Sequence, residues 1–250
     1  MKRIPRIIGH RGASHDAPEN TLAAFQLAFE QGADGIEADF RLTRDQRIVC
    51  MHDETSGRTA GKDIRIEEAA LKELKLLDAG SWKGGRWSGE RIPTLEEVLA
   101  MVPAGKMFFI ELKSGPEIIP HLKKILARTK LNMDMIRLLT FDPGLAGELT
   151  TMLPGTGVCL NVECRRNLLS RTLRPSLDEI LDLMARCGAV GLSSKAHGSV
   201  DESFANAIRR NGKELHLWIV DSVNEAKKYL GFGIDSLMTN RPGLLKSGLT

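Results

Sequence analysis

No apolar run in this chain approaches the ~18–20 residues that a membrane span requires. No dense tract of Lys or Arg rises above a net charge of +3 either. The first absence speaks against an integral or stably membrane-bound protein, and the second against nucleic acid as a partner. The four cysteines (Cys50, Cys159, Cys164, Cys187) form no Cys-x-x-Cys pair and no secreted-scaffold spacing. They read as free thiols in a reducing compartment. The start, Met1-Lys2-Arg3-Ile4-Pro5-Arg6, is basic but lacks the apolar stretch of a signal peptide, so a cytoplasmic location is expected. No Gly-x-Gly-x-x-Gly follows the first apolar segment, which leaves a doubly wound open sheet without its usual support.

What is present is a regular alternation of short apolar runs and amphipathic stretches. The 250 residues, 42% hydrophobic and 27% charged, suffice for a full core. Arg6 to Gly9 reads as a first strand. A helix from about Glu19 to Gln31 follows, with Leu22, Phe25, Ala28 and Phe29 at helical spacing and Gly32 at its end. Gly35 to Phe40 is the next strand, and Arg47 to His52 follows after only a short polar turn, Thr43 to Gln46. A parallel crossover needs about a dozen residues, so these two segments form an antiparallel hairpin. Residues 54 to about 91 are polar and weakly periodic, an insertion with a short helix between Ile66 and Leu77. Regular structure resumes at Ile92-Pro93-Thr94, where Thr94 and Glu97 make a capping box. Further βα units begin near Phe108, Ile136, Gly157, Val190, Glu214 and Ser236. With the hairpin counted in the second unit, roughly eight strands occupy the ~250 residues usual for a (β/α)8 TIM barrel. The expectation is one such domain over residues 1–250.

Ionisable residues gather at the ends of these strands: His10-Arg11, Glu37 and Asp39, His52-Asp53, Glu111 and Lys113. Residues two apart on a strand share a face, so Glu37 pairs with Asp39 and Glu111 with Lys113. In a barrel the C-terminal strand ends form the active site. Three carboxylates suit a hard divalent cation, Mg2+ or Ca2+. A zinc site that recruits His10 and His52 is the alternative. With carboxylates on the metal, the two histidines are free for proton transfer, and Arg11 and Lys113 suit an anionic substrate such as a phosphodiester. Trp218, at another strand end, is a candidate for the substrate pocket or for the core. His15 borders the same loop as His10 but reads as solvated; His121, His197 and His216 read as surface or core positions.

His10-Arg11-Gly12, Pro18-Glu19-Asn20-Thr21, Ile36-Glu37-Ala38-Asp39, Val49 to Asp53, Ile92 to Leu99 and Ile110-Glu111-Leu112-Lys113 together resemble the glycerophosphodiester phosphodiesterases. The Trp218-Ile219-Val220 segment and Thr239-Asn240-Arg241-Pro242 carry the likeness towards the C-terminus. The resemblance implies a metal-dependent barrel enzyme that splits glycerophosphodiesters, such as glycerophosphocholine or glycerophosphoethanolamine, into sn-glycerol 3-phosphate and an alcohol. It implies Glu37, Asp39 and Glu111 on the metal, His10 and His52 as the acid–base pair, and Arg11 and Lys113 on the phosphate. The substrate's own neighbouring hydroxyl can attack first, giving a cyclic phosphate that water opens.

Pro18 to Thr21 also fits helix-cap chemistry, with Glu19 able to orient Arg11. Three positions depart from the family. Asp45-Gln46 stands where Asp-Gly is common at the hairpin, which implies a different turn. Ile219-Val220-Asp221 replaces Thr-Val-Asn, and Asn240 stands where Asp is common. Two other functions remain open: a lysophospholipid- or phosphoinositide-directed phosphodiesterase of similar fold, and a non-catalytic phosphodiester-binding barrel.

Overall fold

The computed structural model describes residues 4–166, 173–196 and 200–249. Its strands are β1 (Arg6–His10), β2 (Gly35–Leu42), β3 (Ile48–Cys50), β4 (Met107–Leu112), β5 (Ile136–Thr140), β6 (Gly157–Val162), β7 (Arg165–Arg166), β8 (Leu173–Arg174), β9 (Gly191–Lys195), β10 (Glu214–Trp218) and β11 (Ser236–Thr239). Among the described residues, eight of them run parallel in the order β1-β2-β4-β5-β6-β9-β10-β11, and the β1–β11 pairing closes the ring. Helices lie between successive strands, so the chain is a (β/α)8 barrel. β7 and β8 form a separate two-stranded ladder.

β3 pairs antiparallel with β2, Phe40 opposite Cys50 and Leu42 opposite Ile48. This is the hairpin that the short turn requires. Its turn departs from expectation. Gln46 takes φ +60°, the left-handed conformation that glycine adopts most easily. The Gln46 amide donates to the Thr43 carbonyl, and the Thr43 side chain accepts from Arg47 and donates to Asp45. The geometry open to Asp-Gly is thus reached with glutamine, and Thr43 and Asp45 brace it from within.

The first helix is Leu22–Glu30, shorter than its periodicity suggests. Thr21 is its N-cap, accepting from Ala24 N at 3.2 Å and donating to the Pro18 carbonyl at 2.7 Å. Pro18 therefore lies ahead of the helix, and Glu19 and Asn20 are free to point at the barrel mouth. The capping box at Thr94 and Glu97 opens helix Leu95–Met101.

Residues 54 to 91 carry short helical pieces, among them Gly57–Ala60, Ile66–Glu68 and Leu71–Leu74. They have a small core of their own, in which Ile66, Leu74 and Leu77 pack with Val49, Met51 and Ile92. Three side chains tie this segment to the barrel mouth: Lys83 Nζ to the Ser14 carbonyl (2.7 Å), Arg86 to the Asp16 carbonyl (2.7 Å) and Arg58 to Glu19 through two bonds (2.8 Å each). All four cysteines are unbridged and buried. His216 is a core residue, its ring edge-on to Phe109 inside the barrel. His121 is partly buried on helix Ile119–Leu126, and His197 lies outside the described residues.

Candidate active site

Strand register assembles the mouth. His10 is the Cα partner of Glu37 across β1–β2, and Asp39 the partner of Glu111 across β2–β4. Alternation then points Glu37, Asp39 and Glu111 the same way, and all three are buried. Their ligand oxygens lie within 4.8 Å of one another. Three carboxylates this close repel. Burial, then Asp39 and Glu111, drives the Glu37 carboxyl well above its usual range, and burial with Asp39 raises that of Glu111. Asp39 goes the other way. Burial pushes it up, but Arg11 and Lys113 outweigh burial and hold it far below.

Arg11 is placed by its backbone. It sits at φ +55°, followed by Gly12 at φ +83°, a sparsely populated turn for a non-glycine residue. A Cβ on Gly12 would come within 2.6 Å of the Ala24 carbonyl oxygen, so only glycine lets this loop lie against the first helix. The turn aims the Arg11 amide at Glu37 Oε2 (3.0 Å). The guanidinium reaches Asp39 (Nε to Oδ2, 3.0 Å) and Glu19 (2.7 Å). Lys113 also sits on carboxylates, hydrogen-bonded to Glu111 and 3.2 Å from Asp39. Asn20 spans the hairpin, donating to Asp39 Oδ2 (2.9 Å) while its oxygen accepts from the Asp39 amide (3.2 Å) and the Cys50 thiol (3.2 Å).

Both histidines are oriented through Nδ1. His10 Nδ1 is 2.8 Å from Asn240 Oδ1. The Asn240 Nδ2 lies 2.6 Å from Asp221 Oδ2, and a carboxylate only accepts, so the amide nitrogen must face Asp221 and its oxygen must face His10. His10 therefore carries its proton on Nδ1. Its Nε2 is free on the Glu37 side, 3.9 Å from Oε2. Burial, then Arg11, lowers His10 to about 4, so the ring is neutral at neutral pH. His52 Nδ1 donates to Asp53 Oδ1 (2.6 Å), and Asp53 is gripped by Arg58 (2.5 Å). Arg41 holds the His52 carbonyl (3.1 and 2.9 Å). Burial lowers His52 as well, with Asp39 opposing and Arg11 adding.

On the opposite wall Trp218 ends β10. Its ring meets Phe141 edge-on at 5.9 Å, and Lys113 Nζ lies 5.8 Å from the Phe141 centroid. No strand-end pattern in the sequence marks Phe141, Asn20, Arg58, Asp221 or Asn240 as site residues. The last two did leave a signal, as reciprocal departures from one family pattern. A second cluster, Cys159, Glu214 and His216, lies low in the barrel. There Arg137 holds both Glu214 oxygens (2.6 and 2.7 Å), so the group is already internally matched.

The three carboxylates fit a divalent cation on the evidence of Glu37 itself. Its Oε1 is buried with no hydrogen-bond partner among the described residues, which is costly for a carboxylate that nothing neutralises. An all-oxygen set of this kind suits Mg2+ or Ca2+ chemistry better than zinc, and neither imidazole joins the cluster.

Fold and site together define a (β/α)8-barrel hydrolase of phosphodiesters. A profile of the glycerophosphoryl diester phosphodiesterase family matches residues 10–244, and the chain belongs to that family. A glycerophosphodiester phosphodiesterase of Caldanaerobacter subterraneus is 34% identical over 244 residues, covering 96% of this chain and 95% of that protein. Among solved structures, an Oleispira antarctica phosphodiesterase in complex with the product sn-glycerol-3-phosphate is 26% identical, with a TM-score of 0.84 and coverage of 98% and 97%. The glycerophosphodiester phosphodiesterase of Thermotoga maritima is 25% identical, with a TM-score of 0.79 and coverage of 99% of each chain.

Proposed function

We propose that this protein hydrolyses glycerophosphodiesters to sn-glycerol 3-phosphate and an alcohol, as one catalytic unit spanning residues 1–250 and acting in the cytoplasm. The observation that carries the reading is the pair of oriented, Nδ1-protonated imidazoles flanking a buried carboxylate trio. Such a mouth supplies two proton-transfer groups and a cation seat for a diester anion.

Glu37, Asp39 and Glu111 would hold Mg2+ or Ca2+, which when bound supplies charge to the phosphate oxygens. Arg11 positions the phosphate and balances its charge. Lys113 does the same from the Phe141 side, exchanging a carboxylate contact for the substrate's. Trp218, with its indole N–H free of any protein partner among the described residues, lines the glycerol pocket and offers that N–H to a hydroxyl. One imidazole Nε2 accepts the proton of the attacking hydroxyl as its oxygen bonds to phosphorus. The other, entering as imidazolium with a second proton on Nε2, supplies that proton to the alcohol oxygen as its bond to phosphorus breaks. When the attacking group is the glycerol's own neighbouring hydroxyl, a cyclic phosphate forms, and water opens it with the two roles reversed.

The test is release of glycerol 3-phosphate from a panel of head-group diesters with Mg2+ or Ca2+, with and without chelator. Release that needs the cation and falls by about 10²-fold or more in His10→Ala and in His52→Ala is expected. Full activity in chelator refutes the metal assignment, and undiminished turnover in either variant refutes the acid–base pair.

A further inference from the structure

A cavity of about 460 Å³ opens beside the site, bordered by His10 and Arg11 but by none of the three carboxylates. We propose that it is the subsite for the alcohol half of the diester, and that it selects a head group carrying a second anionic group over choline or ethanolamine. The inference rests on the hydrolytic reading above. That reading places glycerol against Trp218, and Ile219, the next residue, belongs to the wall of this cavity. The departing alcohol is what remains to fill it.

Charge decides what the wall accepts. Among the described residues, three cations border it: Arg11, Lys83 and Arg241. Its two acids are already engaged. Glu19 takes Arg11 at 2.7 Å and Arg58 twice at 2.8 Å. Asp221 takes the Asn240 amide groups at 2.7 and 2.6 Å and the Thr239 hydroxyl at 2.9 Å. The two outer cations rest on neutral partners instead. Lys83 Nζ donates to the Ser14 carbonyl at 2.7 Å, which occupies one of three donors. Arg241 donates to His15 Nε2 at 2.5 Å, and His15 Nδ1 donates in turn to Asp16 at 2.7 Å. His15 thus steers the Arg241 guanidinium, whose remaining donors suit a phosphate or carboxylate.

A quaternary ammonium is read by a cage of aromatic faces, and among the described residues Trp82 is the one tryptophan, tyrosine or phenylalanine in this wall. The Lys83 ammonium already lies 5.5 Å from that ring's centroid, so a choline placed there meets a like charge. Trp82 and Lys83 come from the insertion and Arg241 from the loop after β11, so segments beyond the barrel strands discriminate among alcohols.

The experiment compares kcat/KM for glycerophosphocholine, glycerophosphoinositol and a ring-phosphorylated glycerophosphoinositol. The phosphorylated diester is expected to exceed its unphosphorylated parent by about tenfold, two partly screened charge pairs acting together, with choline lowest. That ratio should shrink as ionic strength rises. Lys83→Gln and Arg241→Gln should each reduce it, and Lys83→Glu should raise choline relative to the phosphorylated diester. Because each ratio is taken within one preparation, loss of folded enzyme cancels. Choline turned over as well as the phosphorylated diester, or a ratio that neither Gln variant moves, overturns the subsite while leaving the hydrolytic reading intact. Failure to release glycerol 3-phosphate from any diester refutes that reading, and the subsite falls with it.

Discussion

Replacing Asn240 by Asp sets two carboxylates face to face behind His10. In the native protein Asp221 Oδ2 receives the Asn240 Nδ2 at 2.6 Å, and the other face of that amide receives His10 Nδ1 and the Ser14 hydroxyl, each at 2.8 Å. Asn240→Asp removes the donor and adds a charge. Two charges about 4 Å apart in an effective dielectric near 20 repel by about 4 kcal/mol. Solvent at this half-buried pair roughly halves that, so a loss of about 2 kcal/mol is expected in urea unfolding.

Asp221→Asn alone has a different effect. The Asn240 amide can then turn over, His10 loses its obligatory Nδ1 proton, and kcat should fall by about tenfold or more. The double swap, Asn240→Asp with Asp221→Asn, restores a donor facing an acceptor. It should recover stability to within about 1 kcal/mol of the native protein. It also puts the negative charge directly against His10, which raises the His10 pKa from about 4, because an adjacent anion favours imidazolium. The acid limb of the pH–rate profile should move up accordingly. A stable Asn240→Asp single variant, or strictly additive stabilities across the cycle, refutes the relay.

Three other outcomes follow from the geometry. Glu37→Gln relieves a buried carboxylate whose Oε1 has no partner among the described residues, so it should stabilise the metal-free protein by about 1 kcal/mol. The native protein should rise in melting temperature with Mg2+ or Ca2+ and the Glu37→Gln variant should not, read by calorimetry with and without the cation. Gln46→Gly removes a left-handed non-glycine residue and should add about 0.5–1 kcal/mol to stability without altering turnover; a decrease would mean that the Gln46 side chain is needed. The Arg58 bond, then His52, lowers Asp53 to about 2. A depressed carboxyl contributes stability above its unfolded value near 3.8, lost as pH falls through about 2. Arg58→Ala should therefore cost up to about 1 kcal/mol at pH 6 and progressively less as pH falls through about 2, measured by denaturant titration at each pH.

Much of the barrel is legible because it rests on local pattern. Strands Ile136–Thr140, Gly157–Val162 and Ser236–Thr239 begin where the apolar runs put them. The shared face of Glu37 and Asp39 is plain period-two geometry. The insertion is harder to read. Ile66, Leu74 and Leu77 find their core against Val49 and Ile92, so no single window shows their periodicity. The hairpin turn misleads for a related reason: Thr43 and Asp45 side chains support at Gln46 a backbone that propensity alone assigns to glycine.

The amino-acid sequence by itself determined the barrel, the family and the set of ionisable strand ends, because each depends on short-range alternation or on residues standing in order. Tertiary structure alone decided which nitrogen of His10 carries the proton, since Asn240 is 230 residues away. It also decided that Arg11 and Lys113 both rest on Asp39, and that Lys83 and Arg241 border one cavity. Those facts come from closure of the ring, which brings β11 against β1 and the insertion over the mouth. Contacts between segments so far apart have no spacing along the chain from which they could be read.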